Sequence, residues 1–227
     1  MDVKEIRLEE GDEGEVLRYL EYHGQKMDAS LHRQVAACME KINQAAHPKF
    51  VYKKAALPGP GVFPPEYSFF TGESIAKHIE GCHEVILFAA TLGIGVDNAI
   101  RKEQLRDMSN AVIMDSCASV LVEAFCDGID GGFRQEYEKE GAYLTFRFSP
   151  GYGDLPIGIQ RQFITVVDAS RRIGLHVNES GILTPRKSVT ALLGVSKTKV
   201  ETLKRSCQGC TMVKACRFLR RGVRCYA

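Results

Sequence analysis

Six consecutive apolar residues, Val85-Ile86-Leu87-Phe88-Ala89-Ala90, stand between Glu84 and the segment Thr91-Leu92-Gly93-Ile94-Gly95. A run this short, with no polar residue at alternate positions, has no face to offer water. It predicts a strand buried on both sides. Gly93-x-Gly95 lacks the third glycine of a phosphate-binding loop and is read as a turn at a helix start.

The helical signals fall around this strand. Leu31, Val35, Cys38, Met39 and Ile42 follow the spacing of an amphipathic helix over Ala29–Ala46, which Pro48 stops. Val112, Ile113, Cys117, Val120, Leu121, Ala124 and Phe125 make a broad apolar stripe over Asn110–Ile129, the strongest helix signal in the chain. Shorter helices are expected over Glu73–Ile79 and, with Asp154 as N-cap and Pro156 near N1, over the stripe Ile159, Phe163, Val166, Val167 as far as Gly174. Residues 3–22 are expected to give a short strand and a first helix with Val16, Leu17 and Leu20 on one side. Further strands are predicted at Phe50–Leu57, Tyr143–Phe146 and Ser188–Val195. The charged stretch Arg134–Glu140 is expected to lead into the second of these. Phe63, Tyr67, Phe69 and Phe70 interleave a Pro-Gly loop and should pack on the core. Together these elements predict an α+β fold, with helices around a mainly antiparallel, bent sheet.

The chemistry concentrates in Phe146–Pro156, F-R-F-S-P-G-Y-G-D-L-P. Arg147 ends a β-prone run, where a guanidinium is available to clamp a carboxylate with two N–H groups. Ser149 precedes a proline and is biased to extended geometry. Gly151 admits close approach to the backbone, and Tyr152 offers a ring and a hydroxyl. These are the parts needed to hold a small ligand carrying a carboxylate and a flat heterocycle. They are equally the parts of an ordinary strand–turn–helix corner, and composition alone does not separate the two readings. Glu123 lies beyond the centre of its helix stripe, where it is either solvated or faces a site.

The run from Arg147 through Gly151-Tyr152 to Pro156 resembles the R-x-x-x-G-Y-x-x-x-P signature of the activation domain of cobalamin-dependent methionine synthase, which binds S-adenosylmethionine. Ordered flanking pieces are similar too: Glu123-Ala124-Phe125 and Leu87–Gly93 upstream, then Glu179-Ser180 with Pro185, Ser188 and Val189 downstream. The resemblance covers most of residues 1–195, which it makes one S-adenosylmethionine-binding domain, C-shaped with the ligand in the inner curve. It implies Arg147 on the ligand carboxylate, Glu123 on the ammonium or a ribose hydroxyl, Ser149 and Gly151 main-chain groups near the adenine or amine, and Tyr152 alongside. Tyr19-Leu20-Glu21 is loosely similar to the family's Tyr-Ile-Asp, which makes Glu21 a candidate for the ligand amine, or equally a solvated helix-end carboxylate. No residue is expected to act as a catalyst itself. The implied role is reductive methylation of cob(II)alamin on a separate cobalamin-dependent methionine synthase or other corrinoid protein, with flavodoxin or another donor supplying the electron. The chain has no cobalamin-binding D-x-H-x-x-G, so the corrinoid belongs to the partner. Lys197-Thr198-Lys199 stands where the family carries an aromatic Tyr-Tyr segment.

The 227-residue chain carries a net charge of +2, with 44% hydrophobic and 26% charged residues, the balance of a water-soluble globular protein. With no signal-like start and no apolar run of membrane length, it is expected in the cytoplasm, without a membrane or nucleic-acid partner. Residues 196–227 form a basic tail bearing Cys207, Cys210, Cys216 and Cys225. In a reducing compartment four cysteines in this C-x2-C-x5-C-x8-C array suit zinc, an iron–sulfur cluster, or free thiols. A metal- or cluster-bearing redox module serving a corrinoid protein, with a degenerate ligand pocket, is the alternative function. Cys38 and Cys117, on helix stripes, are expected in the core.

Overall fold

The apolar run forms β2 (Glu84–Thr91), and both its faces are covered. In the computed structural model, which describes residues 6–22, 28–199 and Val213, it pairs with β1 (Lys49–Ala56) on one side and β6 (Ser188–Ser196) on the other. β3 (Tyr143–Leu144) completes a sheet of order β1-β2-β6-β3 in which every pairing is antiparallel. A small ribbon of β4 (His176–Val177) and β5 (Leu183–Thr184) forms a second sheet.

Alternation along the strands sorts the core into layers. Ile86, Phe88 and Ala90 of β2 join Ala191, Leu193 and Val195 of β6 beneath the second half of α5 (Met108–Lys139). Val85, Leu87, Ala89 and Leu192 face the other way, onto Ile75 of α3 (Glu73–His78), Phe163 of α6 (Gln160–Val166) and Ile173 of α7 (Ala169–Ile173). The first half of α5 is wrapped by α1 (Glu13–Tyr19), α2 (Ala29–Ala45) and α4 (Ile94–Gln104) through Val16, Val35, Ile42, Val96 and Leu121. Cys38 and Cys117 are buried in that cluster, as their stripes predict.

α5 runs ten residues beyond the predicted Ile129, through Gly131, Gly132 and the charged stretch read as a strand lead-in. The reason is burial. Ile129, Phe133 and Tyr137, at i, i+4 and i+8, continue the stripe onto the sheet and are all buried. At roughly 1.5–3 kcal/mol for each large side chain, they outweigh glycine costs of about 1 kcal/mol each. Val112, placed on the stripe by spacing, is exposed.

The single helix expected to end at Gly174 is broken into a 3-10 turn (Ile157–Ile159), α6 and α7. Asp168 adopts φ +54 at the break, a left-handed conformation that aspartate tolerates. Among the described residues 6–22 there is a 3-10 turn and a helix but no strand; Leu8 is instead held by the Asn43 side chain, which donates to its carbonyl at 3.0 Å and accepts from its amide at 2.9 Å. The Pro-Gly loop packs inward as expected, with Tyr67 and Phe70 buried. No helix among the described residues is long and apolar enough to cross a membrane.

Candidate functional site

Arg147 is placed by a register fault. β3 sets Leu144 opposite Val195, so an unbroken ladder would set Arg147 opposite Leu192. The residue that takes Leu192 is Phe148, through paired bonds of 2.9 and 2.8 Å. One extra residue therefore lies between Thr145 and Phe148, a β-bulge, and bulges re-aim side chains. Here the effect is to put Phe146 and Phe148 together on His78 of α3, with ring centroids 4.5 and 4.7 Å away, and to send Arg147 toward α5. Arg134 of α5 satisfies carbonyls at the bulge, donating to Leu144 O at 3.0 Å and Thr145 O at 2.6 Å.

On α5, Glu123 and Asp127 are one helical turn apart and both accept from Nη2 of Arg147, at 3.1 and 2.6 Å. The arginine side chain is 8% exposed, whereas Glu123 is 43% and Asp127 71% exposed. A buried cation is thus held by two carboxylates that remain wetted. Burial opposes the guanidinium charge, but the carboxylates of Asp127, Glu123 and Asp130 favour it, and the Arg147 pKa is pushed upward. Burial drives the Cys126 thiol up to about 12, so it stays protonated beside the arginine. The half-buried Asp130, its pKa raised mainly by desolvation, lies 3.1 Å from Arg134 Nε.

The loop that follows uses part of its own backbone. Ser149 O accepts from Tyr152 N–H at 3.0 Å, and Gly151 N–H, at φ +95, donates to Leu155 O at 2.9 Å. Ser149 N–H and Gly151 C=O make no hydrogen bond to the described residues, so half of the main-chain groups expected to be free are consumed by the turn. Tyr152 is half exposed and meets Phe148 edge-on at 5.9 Å. Asp154 does not cap the helix that follows it. Its carboxylate instead accepts from the Glu73 and Ser74 amides at the start of α3.

Glu21 lies two residues past α1 at φ +56. The end of α1 approaches the site: Tyr19 has its phenol pKa raised, first by burial and next by the charge of Glu123. The structure therefore brings Arg147 and Glu123 into contact and strings Ser149, Gly151 and Tyr152 along the next turn. Asp127, Asp130 and Arg134 were missed from sequence, although the i, i+4, i+7 series Glu123, Asp127, Asp130 was there to be read. Cys207, Cys210, Cys216 and Cys225 lie outside the described residues; among those described, no group of three or more His, Cys, Asp or Glu is placed to hold a metal. A cavity of about 50 Å³ lined by Asp97, Arg101, Asp115 and Lys187, and a groove of about 420 Å³ between Leu8 and α2, both lie apart from Arg147.

Residues 72–201, more than half of the chain, match the family model of the vitamin B12 dependent methionine synthase activation domain. The chain belongs to that family. The matched span takes in α5, the bulge with Arg147, the Gly151-Tyr152 turn and the whole of β6. The crystal structure of the MetH reactivation domain bound to AdoHcy aligns over 96% of this chain and 85% of that one, with a TM-score of 0.58 at 14% identity. At that identity the likeness is one of fold, and it extends over most of the chain's length. No curated protein sequence matches the chain.

Proposed function

We propose that this activation-domain protein binds S-adenosylmethionine and supports reductive methylation of cob(II)alamin carried by a separate cobalamin-dependent methionine synthase or other corrinoid protein. The observation that carries the reading is the buried Arg147, turned by a bulge onto Glu123 in a chain of this family. Arg147 clamps the ligand carboxylate; Glu123 holds the ammonium or a ribose hydroxyl; Ser149 N–H and Gly151 C=O receive the adenine or amine; Tyr152 lies alongside. Glu21, at the end of α1, is the further candidate for the amine. One electron from flavodoxin or a similar donor would make the partner's cob(II)alamin nucleophilic, and methyl transfer to it would break the S–CH3 bond, the electron pair staying on sulfur and S-adenosylhomocysteine leaving. The protein contributes position, which for an oriented pair of reactants is worth several kcal/mol or more.

In this reading residues 1–195 are the ligand-binding domain and residues 196–227 an appendage. The four tail cysteines, within nineteen residues, hold zinc or an iron–sulfur cluster; if a cluster, the same chain supplies the electron. Isothermal calorimetry tests the main claim. S-adenosylmethionine binding that Arg147→Ala abolishes is expected, and no heat at millimolar ligand overturns it. Recovery of a cobalamin protein from extract only when S-adenosylmethionine is present is the expected sign of the partner. Metal analysis and a visible spectrum after oxygen-free purification test the tail: no metal overturns that part alone.

A further inference from the structure

The guanidinium assigned to the ligand carboxylate already has carboxylates on it. A buried guanidinium without a counter-charge is strongly unfavourable, so a ligand-free protein needs an internal anion there. Three acids of α5 face it, Glu123, Asp127 and Asp130, and they are not equivalent. Asp130 is ion-paired with Arg134, 3.1 Å from its Nε, and makes no contact with Nη2 of Arg147 within hydrogen-bond distance. Glu123 and Asp127 share one nitrogen, Nη2, so a third carboxylate arriving from a ligand would crowd like charges at that atom. Of the two, Asp127 makes the shorter contact and is the more hydrated. Its neighbour one turn on, Gly131, has nothing but its own helix within 4 Å of where a Cβ would stand, which leaves room for the aspartate to swing away along the helix. Arg147, by contrast, is fixed by burial and by the bulge.

We propose that Asp127 is a resident counter-ion, which positions Arg147 in the empty site and is displaced from it by the carboxylate of the incoming amino-acid ligand. The inference rests on the S-adenosylmethionine reading above. It reverses the usual expectation for a site residue: removing the aspartate's charge tightens binding, because the ligand no longer competes with it. The gain is confined to ligands that carry a carboxylate, and it passes through Arg147.

The test compares the wild-type chain with Asp127→Asn, an exposed and nearly isosteric change, against S-adenosylmethionine and decarboxylated S-adenosylmethionine at fixed salt. Asp127→Asn should lower Kd for S-adenosylmethionine roughly two- to fivefold, the range of a half-exposed ion pair, and should give no gain for the decarboxylated ligand. Weaker binding of S-adenosylmethionine by Asp127→Asn, an unchanged Kd, or an equal gain for both ligands overturns the proposal while leaving the binding function intact. Absence of S-adenosylmethionine binding in both proteins overturns both.

Discussion

Asp154 caps a helix that begins eighty-one positions before it: its carboxylate accepts the Glu73 amide at 2.7 Å. The Ser74 amide donates to the other oxygen at 3.0 Å. The turn carrying Gly151 and Tyr152 is thereby tied to α3, and α3 in turn presents His78 to the two phenylalanines beside Arg147. Hydrogen bonds from the Ser74 backbone and side chain, with that from Glu73, hold the Asp154 carboxyl below its usual range. A folded pKa below the unfolded one means that the contribution is present above the unfolded carboxylate range and is lost as pH falls through the folded value. Asp154→Ala should lower the melting temperature at neutral pH and flatten its decline in acid, with Asp154→Asn intermediate.

Gly72, the residue before α3, has φ +124, a region open in practice only to glycine. A Cβ there would stand 2.6 Å from Asp154 Oδ1. Gly72→Ala should cost about 1–3 kcal/mol from backbone strain and more from the displaced cap, read as a shift in the urea midpoint at unchanged slope.

His78 is buried and neutral. Burial pushes its pKa down to about 4, against about 6.5 unfolded. Above pH 6.5 neither state binds the proton and stability is flat in pH. Between 6.5 and 4 only the unfolded chain takes it up, so stability falls as pH drops, by about 3 kcal/mol in all. His78→Phe, which keeps the ring contacts to Phe146 and Phe148, should remove this slope from denaturation series run between pH 7 and 4.5.

Gly194 on β6 faces Cys82, whose sulfur would lie 2.6 Å from an added Cβ. Gly194→Ala should therefore overpack the core by about 1–3 kcal/mol. Cys82→Ala in the same chain should restore part of that loss, a coupling that a double-mutant cycle in urea measures directly.

Arg147→Met separates binding from folding. The partners it abandons, Glu123 and Asp127, are exposed enough to rehydrate, unlike those of a fully buried pair. The expected loss is about 1 kcal/mol or less, together with complete loss of S-adenosylmethionine binding by calorimetry.

Much of this architecture was legible because it rests on periodicity. The unbroken apolar run of β2, the i, i+4 stripe of α2 and the long strand β6 stand where spacing put them, to within a residue or two. What local reading lost was decided at long range. The glycines after Ile129 argued against a helix until Phe133 and Tyr137 found the sheet. Asp154 followed by a proline has the look of a local cap, yet its partner is the distant start of α3. At the site, the R-x-x-x-G-Y run drew attention to Arg147, and the Glu-Ala-Phe helix to Glu123. The bulge that joins them depends on pairing with Leu192, which no window around Arg147 contains. Asp127 escaped for a similar reason: a solvent-facing aspartate gains meaning only when a guanidinium is delivered to it.

The register of β3 on β6 also decides where the last stretch of chain sets out. Ser196 pairs with Tyr143, four residues before Arg147, a separation of about 13 Å along the strand. Cys207 follows eleven residues later and Cys225 twenty-nine, so at most twenty-nine positions of sequence separate the four thiols from the sheet edge that carries the guanidinium. In the proposed function, an electron passed from those sulfurs to a ligand on Arg147 would be delivered within one molecule, at a rate independent of protein concentration.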